Sequence, residues 1–155
     1  MNVGKLMTRD PGACSPDDTL NRAAQIMWEK DCGCVPVVDA NFHPIAMITD
    51  RDICMAAYTQ GRPLWSIPVS SAASHIVVVV RESEAVESAE GLMRAYRVRR
   101  LPVVDADGRL VGIISLNDLA RHASFGHRHG ELNADRITRA LAAICAPAIR
   151  AAAAE

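Results

Sequence analysis

Apolar residues follow helix-like and strand-like spacings in the first part of the chain. Leu20, Ala23 and Met27 stand three to four positions apart, which predicts a helix with one apolar face. The β-branched run at 35–38 predicts a buried strand, and the apolar run at 45–48 predicts its partner in a hairpin. The pattern therefore predicts a unit that mixes helices and strands.

The same order of elements then occurs again. A second helix, expected from about Thr49 to Tyr58, completes the first unit. In the second unit, Val86, Ala89 and Met93 form the apolar face of the first helix. The elements predicted for the second unit are a strand at 77–80, a helix at 84–96, strands at 101–104 and 110–114, and a helix at 116–123.

Two copies of one motif, separated by 66 positions, underlie this pattern. Pro36 and Pro102 each stand in an apolar-Pro-Val-Val-Asp segment, and at the same offset Asp52 falls on Asp118. A fixed internal period indicates that one supersecondary unit is used twice. A cleft between the units would be lined by equivalent residues from both.

The repeats divide the chain into four predicted segments. These are the first motif at 1–60, a linker at 61–68, the second motif at 69–124, and a loop with a helical tail at 125–155. The linker is marked by residues that favour loops, Gly61, Pro63 and Pro68. The final helix is predicted from one apolar stripe, Ile137, Leu141, Ile144 and Ala148.

Composition and charge narrow the class of protein. Half of the 155 residues are hydrophobic, and the formal net charge of −1 argues against a polybasic nucleic-acid binder. The apolar run at 76–80 is far too short to cross a bilayer, and segment 1–7 lacks the apolar region of a secretory signal. The five cysteines are odd in number and lack disulfide spacing. These features predict a cytoplasmic protein without a nucleic-acid or membrane partner.

Each copy has the order strand, helix, strand, turn, strand, helix, and each carries Ser or Thr three positions before an Asp. From Val3 to Ser124 the pair resembles two CBS domains, regulatory motifs named after cystathionine β-synthase. The resemblance implies an α/β (α+β) fold in which two motifs form a pseudo-two-fold module. Each motif would have a small three-stranded sheet and flanking helices, and a C-terminal helix would follow.

The resemblance also implies a function. Such modules bind adenosine ligands (AMP, ADP, ATP, NAD or S-adenosylmethionine) in clefts between the motifs, usually pair into flat dimers, and regulate a partner. We therefore expect an adenine nucleotide ligand, a homodimer and a regulated protein partner of unknown identity, without a catalytic cofactor. A structural dimerisation or interaction module with empty nucleotide sites is the alternative.

Two polar segments stand where a strand meets a helix. Thr49 precedes Asp52 by three residues, and Ser115 precedes Asp118 in the same way. Each carboxylate can accept hydrogen bonds from ribose hydroxyls, and each helix N-terminus offers N–H groups to phosphate. The same pattern is also a capping box that serves the helix alone, and the two roles can coexist.

The resembled family usually holds the base between the first strand and the Pro-containing strand. The candidate contacts are Thr8, Gly12, Ala13, Val35 and Pro36 in the first motif, and Ser74, Val77, Val78, Leu101 and Pro102 in the second. Ile48 and Ile114, which precede the hydroxyl residues, complete this set. The alternative for the Val, Leu and Pro residues is that they are simply core.

Arginines are candidates for phosphate binding because the guanidinium group presents several donors in one plane. They are Arg51, Arg99 and Arg100, and the alternative is a solvated basic face. Ala46 stands where the second motif has Gly112. We expect its methyl group to narrow the first cleft, which favours the second cleft for occupancy.

The remaining reactive side chains predict neither a metal site nor an enzyme. Cys32 and Cys34 form a C-x-C pair without a second ligand pair, and the histidines at 122, 127 and 129 flank a predicted loop. A structural zinc site needs four ligands, so we expect no metal. The chain has no nucleophile elbow, P-loop or G-x-G-x-x-G, and no catalytic residues are assigned.

Overall fold

The computed structural model describes residues 1–125 and 134–146. The helices are α1 (Leu20–Glu29), α2 (Asp50–Gln60), α3 (Val86–Tyr96), α4 (Leu116–Phe125) and α5 (Ala134–Cys145). The strands are β1 (Thr8–Arg9), β2 (Cys34–Val38), β3 (Pro44–Thr49), β4 (Val80–Arg81), β5 (Arg100–Val104) and β6 (Leu110–Ser115). The mixed α+β fold class is confirmed, and both predicted hairpins form.

The aspartate that ends each apolar-Pro-Val-Val-Asp segment builds the hairpin turn. Asp39 Oδ1 accepts hydrogen bonds from the backbone N–H of His43 at 2.8 Å and of Asn41 at 2.9 Å. Asp105 makes the equivalent pair of bonds, both of 2.9 Å. The bond from the His43 N–H is the main cause that lowers the pKa of Asp39 below its ordinary value. The motif's aspartate is therefore a turn residue.

Each repeat sends its opening segment to the sheet of the other repeat. In the first repeat (1–60), Thr8 in β1 pairs with Ile113 in β6. In the second repeat (69–124), Ser74 forms an isolated bridge with Met47 in β3. These two pairs are equivalent at the 66-residue offset. The repeats are therefore joined by a symmetric exchange of their first segments.

The exchange changes the strand count that the family resemblance implies. We expected three strands in each sheet, but one sheet has four strands in the order β1-β6-β5-β4 and the other is the hairpin β2-β3. The edges of the β2-β3 hairpin carry only isolated bridges, Cys14 to Val37 and Met47 to Ser74. The strand predicted at 77–80 is replaced by the shorter strand Val80–Arg81, which overlaps the predicted range at Val80 alone.

Each repeat also completes the hydrophobic core of the other. Val3 and Met7 of the first repeat are buried in the core formed by β4–β6 and α3–α5. Val69 and Ala73 of the second repeat are buried in the core formed by α1, α2, β2 and β3. Burial of such side chains is the main favourable term in folding, so neither repeat is a complete folding unit alone.

Helix α5 packs against α3 and α4. It buries Ile137, Ala140 and Ile144, whereas Leu141, which we expected in the buried stripe, is 46% exposed. Ala140 replaces it because residues three and seven positions after Ile137 face the same side of the helix. Ala148 lies outside the described residues. In the part of the chain that the structure describes, no helix has both the length and the hydropathy needed to span a bilayer.

Candidate ligand-binding clefts

The two strand-to-helix junctions have matching hydrogen bonds. At the start of α2, Asp52 Oδ2 accepts from the Thr49 N–H at 2.9 Å and from the Thr49 hydroxyl at 2.7 Å. At the start of α4, Asp118 Oδ2 accepts from the Ser115 N–H at 2.8 Å and from the Ser115 hydroxyl at 2.6 Å. Each hydroxyl in turn accepts from the aspartate N–H at 3.2 Å. One oxygen of each carboxylate therefore caps its own helix.

A cleft of about 620 Å³ opens beside the first junction, and we call it the Asp52 cleft. The first repeat contributes Thr49, Arg51 and Asp52. The opposite wall comes from the second repeat and includes Ser74, Ile76, Val78, Tyr96, Val98, Arg99 and Arg100. The cleft therefore combines the two carboxylates of Asp50 and Asp52, a largely apolar wall and three arginines.

A second cleft of about 370 Å³ lies beside the other junction, and we call it the Asp118 cleft. The second repeat contributes Ser115, Asn117, Asp118 and Arg121. The first repeat contributes Thr8, Asp10, Gly12, Lys30, Cys32 and Pro36 to the facing wall. Most of these residues are the counterparts, 66 positions away, of residues in the Asp52 cleft.

The exchanged segments decide which candidate residues come together. Ser74 and Val78 of the second repeat lie in the cleft of Asp52, and Thr8 and Gly12 of the first repeat lie in the cleft of Asp118. The Ser74 hydroxyl accepts from the Met47 N–H at 3.2 Å and donates to the Met47 carbonyl at 3.1 Å. The base-side and ribose-side candidates of one cleft thus belong to different repeats.

Several candidate residues do not line either cleft. Ile48 and Ile114 are fully buried beneath the junctions, and the core explains their apolar character. The same core interpretation holds for Val35 and Leu101, which are also fully buried. The other candidates that line neither cleft are Ala13, Val77 and Pro102.

The sequence interpretation missed part of the lining. In the Asp52 cleft the missed residues are Gly33, Cys34, Met47, Asp50, Ile76, Tyr96 and Val98. In the Asp118 cleft the missed residues are Arg9, Asp10, Pro11, Lys30, Asp31, Cys32, Gly33, Cys34, Ile113, Asn117 and Arg121. Arg100, which the sequence analysis considers only as a phosphate ligand, also lines this cleft. Once Thr8 and Ser74 are placed, the 66-residue offset relates many of these positions to one another.

Arg100 and Cys34, which are equivalent at the 66-residue offset, line both clefts together with Gly33. A Cβ atom on Gly33 would lie 3.2 Å from Asp50 Oδ2 and 3.8 Å from Arg100 Nη2, so the glycine leaves room for both side chains. Burial raises the pKa of the Cys34 thiol to about 11, although the nearby Arg100 acts in the opposite direction. Cys34 is therefore a neutral thiol at physiological pH.

Gly112 serves the exchanged segment rather than the ligand cleft. A Cβ atom there would clash with the Met7 sulfur and lie 2.9 Å from the Thr8 carbonyl oxygen. Its counterpart Ala46 does not line the Asp52 cleft, which is the larger of the two. The expectation that Ala46 narrows the first cleft is therefore wrong, because Ala46 lines neither cleft and packs against the core of the first repeat.

Within residues 1–125 and 134–146, no group of three or more His, Cys, Asp or Glu side chains is placed to hold a metal ion. Cys32 and Cys34 are both free thiols, and the Cys32 Sγ lies 3.3 Å from the Cys34 carbonyl oxygen. His127 and His129 lie outside the described residues.

Comparison with known proteins agrees with this architecture. A family model for the CBS domain matches residues 3–58 and 69–124. The CBS domain-containing protein YhcV of Bacillus subtilis (strain 168) is 38% identical over 119 residues, which cover 77% of this chain and 83% of YhcV.

The solved structures that share the fold include the two that follow. The crystal structure of Hypoxic Response Protein I with two coordinated zinc ions has a TM-score of 0.71 at 29% identity, covering 79% of this chain and 98% of that one. The crystal structure of CBSX2 in complex with AMP has a TM-score of 0.68 at 29% identity, covering 79% of this chain and 96% of that one. With both repeats matched by the family model, this chain belongs to the CBS domain family.

Proposed function

We propose that this chain is a regulatory module that binds an adenosine nucleotide between its two repeats. The observation that carries the proposal is the Asp52 cleft, in which a helix-start carboxylate faces an apolar wall from the other repeat. An adenosine nucleotide has three parts that need three kinds of contact. The cleft offers an acceptor for the ribose, an apolar surface for the base, and arginines for the phosphate.

Asp52 can cap its helix and bind ribose at the same time. Its Oδ2 is used by Thr49. Its Oδ1 accepts no hydrogen bond from any residue within 1–125 and 134–146. A ribose hydroxyl that donates to Oδ1 would therefore leave the capping box intact. The two interpretations of the Thr-x-x-Asp pattern are compatible for this reason.

The phosphate would lie near Arg99 and Arg100 on one side and Arg51 on the other. Arg51 follows Asp50 at the N-terminus of α2, where backbone N–H groups and the positive end of the helix dipole favour an anion. The structural relative CBSX2 in complex with AMP supports this ligand class. We propose AMP, ADP, ATP, NAD and S-adenosylmethionine as the compounds to test.

The signal would pass to a partner through a change in the relative position of the repeats. Because the cleft walls come from different repeats, a ligand that contacts both would favour one arrangement over another. We propose that the chain has no catalytic activity of its own and acts on a regulated protein. The five free cysteines support the further proposal of a cytoplasmic location.

The helices of the first repeat favour a second role as a homodimer. Trp28 on α1 and Tyr58 on α2 are 89% and 82% exposed, and Trp65 in the linker is 70% exposed. Large aromatic side chains are enriched in protein interfaces. A dimerisation module with empty clefts is therefore the second candidate function.

A thermal-shift panel with the five compounds, with and without Mg²⁺, tests the proposal. A ligand that binds only the folded chain raises the melting temperature by mass action. A selective rise that is smaller in Asp52→Asn supports the nucleotide sensor. No rise with any compound, together with a dimer in solution, supports the dimerisation module instead.

A further inference from the structure

The two ribose-side carboxylates differ at a single oxygen. Asp52 Oδ1 has no partner among residues 1–125 and 134–146. Asp118 Oδ1, in contrast, forms an ion pair with the Arg121 guanidinium one turn along α4. The capping bonds on Oδ2 are the same at both junctions. The two equivalent carboxylates therefore differ in one respect: Oδ1 of Asp52 is open to the cleft, and Oδ1 of Asp118 is already paired.

Arg121 is a feature of the second repeat alone. At the 66-residue offset its counterpart is Met55, which cannot pair with Asp52. The Asp118 side chain is 8% exposed and the Arg121 side chain is 72% exposed. Arg121 therefore stays largely exposed while it pairs with a nearly buried carboxylate, and both residues line the Asp118 cleft.

The walls opposite the two carboxylates also differ in a way that favours the Asp52 cleft. Ile76, Val78, Tyr96 and Val98 in the Asp52 cleft correspond to Asp10, Gly12, Lys30 and Cys32 in the Asp118 cleft. An adenine ring gains more from the first wall, because apolar and aromatic surface stabilises a planar base by burial and stacking. The polar wall and the paired carboxylate should thus both lower the affinity of the Asp118 cleft for adenosine.

We propose that Arg121 makes the two clefts unequal, so that an adenosine ligand fills the Asp52 cleft first. This inference rests on the proposed nucleotide-binding function. A ribose in the Asp118 cleft must displace the guanidinium from Oδ1, whereas a ribose in the Asp52 cleft displaces no protein group there. This order of occupancy is the reverse of the sequence-based expectation, in which Ala46 in place of Gly112 favoured the second cleft.

Calorimetric titration with AMP and with adenosine tests the inference in variants that leave one ribose carboxylate. Asp52→Asn reports on the Asp118 cleft, and adding Arg121→Met should tighten AMP binding there by about 3- to 10-fold. Asp118→Asn reports on the Asp52 cleft, and adding Met55→Arg should weaken AMP binding by a similar factor, because residues three apart on a helix can pair. Adenosine should follow the same trend.

Arg121→Gln provides a second variant if Arg121→Met is unstable, and a thermal melt of each variant checks folding. An AMP affinity that falls in Asp52→Asn/Arg121→Met while the adenosine affinity stays constant would make Arg121 a phosphate ligand and overturn the inference. Unchanged affinity for both would also overturn it. If wild type binds none of the five compounds of the thermal-shift panel, the proposed function itself fails, and the inference fails with it. If it binds another of the five but not AMP, that compound replaces AMP in the titrations.

Discussion

The helices of the two repeats occupy equivalent positions but meet different surroundings. Helices α3 and α4 are covered by α5, and the buried Glu90 accepts a hydrogen bond from Arg136 of α5 at 2.7 Å. The counterpart of Glu90 is Ala24, and α1 and α2 leave Trp28 and Tyr58 on the surface. The β-hairpins and the caps of α2 and α4 are alike in the two copies, whereas a few side chains decide what covers the helices of each copy.

The largest expected effect on stability comes from the ion pair between Glu90 of α3 and Arg136 of α5. The Glu90 side chain is 1% exposed, and Arg136→Ala removes this partner from its carboxylate. We therefore expect the free energy of unfolding to fall by about 3–5 kcal/mol. The measurement is urea denaturation. Arg139→Ala on the same helix removes an exposed pair with Asp135 and should cost at most about 1 kcal/mol. Equal costs for the two variants would contradict the account.

The second effect concerns the two carboxylates. Asp52→Asn should weaken AMP binding by about 1.5–3 kcal/mol, because it removes a charge-assisted acceptor that is open to the cleft. Asp118→Asn should weaken it by less, because Arg121 already occupies that carboxylate. Calorimetry measures both. Each replacement alters one of the two equivalent capping boxes, so the cost to helix stability should be similar. Similar melting temperatures with unequal AMP affinities would therefore show that the difference lies in binding.

The third effect tests the exchange of opening segments. Gly112→Ala should destabilise the fold by about 1–3 kcal/mol, because the added methyl group meets Met7 and the Thr8 backbone. The matched change Ala46→Gly in the first repeat should cost about 1 kcal/mol or less. Thermal or chemical denaturation compares the two. A stable Gly112→Ala would mean that β1 is not held closely against β6.

The smallest effect concerns the buried thiols. Burial raises the pKa of Cys14 and of Cys34 to about 11 from an ordinary value of 9.0. The unfolded chain therefore releases these protons at lower pH than the folded chain, so stability should fall as the pH rises from 9 towards 11. Iodoacetamide at pH 8 should modify the exposed Cys32 and leave Cys34 intact. Equal labelling of Cys32 and Cys34 would contradict the burial.

The local elements could be predicted from the sequence because their signals are local. The runs around Pro36 and Pro102 gave both hairpins, and Thr49 and Ser115 marked two helix starts. The start of the first helix has a less clear signal, because Ser15 and Asp18 are also typical of a helix start but form a turn, and Thr19 is the N-cap. Capping depends on the backbone conformation of one residue, which composition alone does not determine.

The cleft architecture could be predicted only in part. The 66-residue offset identified Asp52 and Asp118 as a pair, but it could not say which repeat supplies the facing wall. A repeat is compatible with opening strands that stay in their own sheet or cross to the other one. The pairing of Arg121 with Asp118 was also missed, because the offset draws attention to residues that the copies share and Arg121 is one that they do not.

The most direct test is a crystal structure of the chain with AMP, at a concentration that saturates only the tighter site. We predict AMP in the Asp52 cleft, with a ribose hydroxyl on Asp52 Oδ1, the base against the wall that holds Tyr96, and the Arg121–Asp118 pair intact. AMP in the Asp118 cleft alone, with Arg121 displaced, would contradict this prediction.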